Sequence, residues 1–131
     1  MWKAIEEILD NVKTLDEKEA WKFVIDKEVQ DEIIRMNTQD QLYDDGIDSL
    51  SDSLGDYTPY TVMLKKQKGQ KTSNITLKDT GAFYKSFKVK VIPSGFEIIA
   101  DDESDYDFPL TDSFGIDILG LTEENKLYLI I

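Results

Sequence analysis

The stretch Phe87-Lys88-Val89-Lys90-Val91-Ile92-Pro93-Ser94-Gly95-Phe96-Glu97-Ile98-Ile99-Ala100 decides the fold class. Phe87, Val89 and Val91 alternate with Lys88 and Lys90; beyond Pro93-Ser94-Gly95, Phe96, Ile98 and Ala100 resume the alternation. A period of two places these six apolar side chains on one side of a β-hairpin. A lone hairpin with one apolar face needs other elements to cover it. Helical patterns on both sides provide them, so the expected class is α+β: N-terminal helices packed on a small antiparallel sheet, with a long hairpin and a C-terminal helix.

Toward the N-terminus, Trp2, Ile5, Ile8 or Leu9, Val12 and Leu15 recur at helical spacing. Thr14-Leu15-Asp16-Glu17 fits a capping box that opens a second helix. That helix carries Trp21, Ile25, Val29, Ile33 and Met36 nearly in line, with Val24 beside them, and should end near Met36 or Asn37. Asp44 to Pro59 is rich in Asp, Ser and Gly and reads as a long loop with one turn of helix. Residues 65–74 contain no apolar side chain and read as a mobile loop. Past the hairpin, Asp101 to Asp107 is an acidic loop, and Leu121-Thr122-Glu123-Glu124 starts a helix with acids at the positive end of its dipole. The apolar end Leu127-Tyr128-Leu129-Ile130-Ile131 is docked in the core, buried against a partner, or the result of shortening.

At 131 residues the chain has the length of a single domain, 1–131. It lacks both Cys and His, which excludes disulfides, thiol nucleophiles, Ser-His-Asp catalysis and the usual zinc sites. No G-x-G-x-x-G or S-x-x-K pattern occurs, and Gly69-Gln70-Lys71-Thr72 lacks the earlier Gly and the Gly-Lys pair of a phosphate-binding loop. An enzyme built on carboxylates and a hard metal ion ranks behind the non-catalytic readings, and no cofactor is expected.

The net charge of -12 hides a segregation: residues 1–60 carry -10, residues 61–92 carry +7 and residues 93–131 carry -9. Within the last block Asp101, Glu103, Asp105, Asp107 and Asp112 fall at positions 1, 3, 5, 7 and 12 of an EF-hand count. Tyr106 stands where the sharp turn wants Gly, position twelve is Asp rather than Glu, and Pro109 interrupts the run. A solvated acidic turn is the favoured reading, with no metal.

The basic block places Lys65, Lys66, Lys68, Lys71, Lys78, Lys85, Lys88 and Lys90 near Tyr60, Phe83, Tyr84 and Phe87, in the manner of a single-strand binding face. It has no Arg, and the flanking blocks at -10 and -9 repel nucleic acid and anionic membranes alike. Solvated lysines on a hairpin's outer face are the plain alternative. Head-to-tail assembly fits the segregation better, with Lys65, Lys66, Lys68 and Lys71 of one copy meeting Asp101, Asp102, Glu103 and Asp105 of the next.

At Ile75 to Phe87 the string LKDTGAFYKSF resembles the "L, acid, Thr-Gly, two residues, then Ser and an apolar" signature of phage virion-morphogenesis proteins, the tail-completion and head-tail joining group. Upstream, QLYDDGIDSLSDSLGDYTPYTVMLKKQKGQ is similar to the segment in which those proteins place a Gly, an aromatic-Thr-Pro element and a Lys-rich loop. Downstream, FGIDILGLTEEN is similar to the stretch that opens their last helix. The resemblance covers residues 41–127, a family-like core behind a helical part at 1–37, and runs nearest to versions from Bacteroides-type phages and prophages.

The resemblance implies an α+β protein of the virion neck or tail-completion ring, a homo-oligomer that docks other neck or tail proteins and performs no chemistry. This chain departs from those proteins at its end, since they usually continue the last helix past the position of Ile131. Asp79 or Thr80 is expected to cap a short helix, with Gly81 permitting close backbone approach and Phe83 and Phe87 leading into the core. The expected location is the host bacterial cytoplasm when made, then the virion, since the N-terminus lacks the apolar run of a signal peptide. The alternative from another class is a small acidic binding module, an inhibitor or DNA mimic, that stays outside the particle.

Overall fold

Asp26 stands in extended conformation, and its carboxylate accepts from the Glu28 N–H at 2.8 Å, so a fresh helix, α1 (Lys27–Arg35), opens there. The structure is a computed structural model that describes residues 26–93 and 95–130. The expected first helix and the Thr14 capping box lie outside the described residues. The second expected helix is corrected at Asp26, where the cap interrupts it.

Its other end is corrected too. The ladder runs on as a π-helical extension, Met36–Asp45, nine residues beyond Met36. Thr38 helps open it, because its hydroxyl donates to the Ile34 carbonyl (2.7 Å) and competes with the ordinary backbone partner. With i→i+5 bonding, residues four and five apart share a face, and Asn37, Gln41 and Leu42 are all buried. Gly46, at φ +62°, closes the helix in a left-handed conformation that favours glycine. A side chain there would also collide with Asn74, whose amide lies 2.6 Å from the position of a Cβ.

Residues 46–58 form the expected loop, held by an Ile47–Ser53 bridge rather than a turn of helix. Asp48 orders it by accepting from the N–H groups of Leu50 (2.9 Å) and Asp52 (3.0 Å). Helix α2 (Pro59–Gln67) follows, with Thr58 as N-cap and proline at its first turn. The Thr-Gly motif forms a one-turn helix, α3 (Ala82–Lys85), which leads into the hairpin β1 (Lys88–Ile92) and β2 (Gly95–Ile99).

The hairpin is antiparallel with Val89 opposite Ile98 and Val91 opposite Phe96, as the alternation requires. Burial is deepest at its base, where Phe87 and Ile98 are buried, and fades toward the tip, where Val91 is exposed. On the other face Lys90 stands across from Glu97. Helix α1 packs against β1. Beyond the acidic loop come α4 (Leu110–Phe114), a 3-10 turn (Ile116–Ile118) and α5 (Glu123–Ile130), whose first turn is capped when the Thr122 hydroxyl accepts from the Asn125 N–H.

One core joins these parts: Ile33 and Met36, Leu42, Leu77, Phe83 and Phe87, Ile98, Leu110, Ile118 and Leu121. Phe83 meets Phe87 edge to face at 5.0 Å. The class is α+β.

Candidate functional site

Two stretches far apart in sequence meet at the Thr-Gly motif. The Asp105 carboxylate reaches back from the acidic loop and accepts from the N–H groups of Thr80 (3.1 Å), Phe83 (3.3 Å) and Asp79 (3.4 Å), and from the Thr80 hydroxyl. Thr80 in turn accepts from the Ala82 N–H at 3.2 Å. Asp105 and Thr80 therefore share the capping of α3. Asp79 does not cap; its carboxylate takes the Gln70 amide (3.1 Å) and the Lys68 ammonium (3.3 Å).

Gly81 is also corrected in its reason. A Cβ there would sit an ordinary 3.7 Å from Lys78, so space is not the constraint. Its φ of +92° is. Leu77, buried at the head of the motif, adopts φ +57° without being glycine, which keeps the backbone strained where its side chain enters the core.

Burial raises the Asp105 pKa, but the hydrogen bonds from Thr80, Phe83 and Asp79 outweigh it and hold the carboxyl below its usual range. The Gln70 amide, with Lys68, lowers Asp79, and the Thr111 hydroxyl lowers Asp102. Asp102 does for α4 what Asp105 does for α3, accepting from the Thr111 N–H (3.1 Å) and hydroxyl. The acidic loop is thus built around two carboxylates that grip backbone on either side of it. Asp101, Glu103, Asp107 and Asp112 remain exposed, and among the described residues no three acidic side chains gather as a metal-holding group.

The lysine segment departs furthest from expectation. The expected loop over residues 65–74 is shortened to 68–74: Lys65, Lys66 and Gln67 complete α2, and Lys65 is the buried residue of that helix. Its ammonium donates to Gln70 and to the Lys78 carbonyl, both at 3.3 Å, and lies 4.8 Å above the Tyr57 ring. Lys71 donates to the carbonyls of Tyr43 (2.8 Å) and Asp44 (3.1 Å), the exposed acceptors at the end of the π-helical extension. Lys78 spans the rings of Tyr43 and Tyr84. Of the aromatic residues expected to pair with the basic block as a strand-binding face, Phe83 and Phe87 are buried and Tyr84 is half-buried, which leaves Tyr60 on the surface.

Of the residues expected at an assembly interface, Lys65, Lys71, Asp102 and Asp105 are therefore engaged within the chain. Lys66, Asp101 and Glu103 face solvent, and Lys68 is exposed while paired with Asp79.

A buried joint that the sequence reading missed closes the molecule. Asn37 donates to the Ile118 carbonyl (2.9 Å) and accepts from the Gly120 N–H (2.8 Å). Gln41 donates to the Gly120 carbonyl (2.8 Å) and accepts from the Thr122 N–H (3.0 Å) and the Asn125 amide (2.8 Å). Two side-chain amides so read the backbone of the Leu-Gly-Leu-Thr stretch as a neighbouring strand would. A signal was available: Asn37 and Gln41 continue the four-residue steps of Val29 and Ile33 along the buried stripe.

Two apolar surfaces stay uncovered among the described residues. On α2, Tyr60 is 67%, Met63 50% and Leu64 37% exposed, so the helix turns apolar residues outward and a lysine inward. Beside β2, Phe96, Ile98, Ile99, Ile116, Leu119 and Gly120 line a groove of about 520 Å³ with Glu97 on it.

Comparisons with known protein families, with curated proteins and with solved structures found no match. No described helix is long and apolar enough to cross a membrane.

Proposed function

We propose that this chain is a structural protein of a phage or prophage particle, of the neck or tail-completion type, which assembles as a ring and docks between head and tail. Its work is contact, not catalysis. The observation that carries the reading is what the motif residues do: Asp79, Thr80 and Gly81 shape a turn, Phe83 and Phe87 fill the core, and Gly120 and Thr122 offer backbone to Asn37 and Gln41. The polar groups of these motifs are joints of the fold, as the resemblance to virion-morphogenesis proteins implies. The uncovered apolar surfaces on α2 and beside β2 supply places for docking.

Mass spectrometry of purified, nuclease-treated virions tests this, with the chain quantified against the major capsid and portal proteins. A low, fixed copy number is the expected result. A chain abundant in infected cells yet absent from particles would overturn the reading in favour of a free acidic binding module.

A further inference from the structure

We draw no further inference here: the strongest candidate, the surface patch of Tyr60, Met63 and Leu64 on α2, is an apolar face without a partner among the described residues, and nothing in the structure shows what covers it.

Discussion

Asp105 carries more of the local structure than any other exposed-loop residue, because four donors from the Thr-Gly turn converge on one carboxylate. Replacing it with Ala leaves those donors to water and should cost about 1–3 kcal/mol, measured by chemical denaturation. Its folded pKa lies below the unfolded value of about 3.9, so its contribution is complete above that pH and disappears as pH falls through the folded pKa. Asp79 and Asp102 are lowered too and act in the same sense. Denaturation across an acid series should therefore show stability falling with pH, and Asp105→Asn should flatten that fall; an unchanged slope would remove Asp105 from the account. Thr80 as a partial cap was legible in the sequence, since a Thr before Gly and a short apolar run signals one. Asp105 was not, because a carboxylate twenty-five residues from Thr80 leaves no local mark.

Among the elements, the hairpin was legible in full, for a strict period of two has one interpretation when one face is apolar. The end of the long helix was not. Asn37 and Thr38 are residues that ordinarily favour helix ends, and contact with residues 118–125 is what makes Asn37 and Gln41 interior positions. Gln41→Ala should accordingly be among the more damaging single changes: it strands the buried Thr122 N–H, at about 1–3 kcal/mol, and leaves the half-buried Gly120 carbonyl to water. Hydrogen exchange would show the loss, with the Thr122 amide becoming unprotected. Helix α2 misled for the opposite reason, since Lys65-Lys66-Gln67-Lys68 reads as solvent while Lys65 lies buried between Tyr57 and the Lys78 carbonyl. Lys65→Met, which keeps the stem and removes the ammonium, should lower stability, measured by chemical denaturation.

For the whole molecule, the charge blocks of -10, +7 and -9 set the expected response to salt. Attraction between exposed charges is screened over about 10 Å at 0.1 M ionic strength, so any association that these blocks drive between copies should weaken as salt rises, measured by sedimentation. Association indifferent to salt would mean that the charge blocks do not drive it. Charge segregation was visible in the sequence; which lysines remain outside was not, because that depends on the tyrosines and carbonyls that the fold brings to Lys65, Lys71 and Lys78. The grip of Asn37 and Gln41 on residues 118–122 falls on main-chain N–H and C=O groups, which every amino acid but proline offers. The exposed side chain of Ile116 in the neighbouring groove can thus be exchanged without loosening the clasp beneath. A surface rewritten in this way would leave the architecture beneath it unaltered.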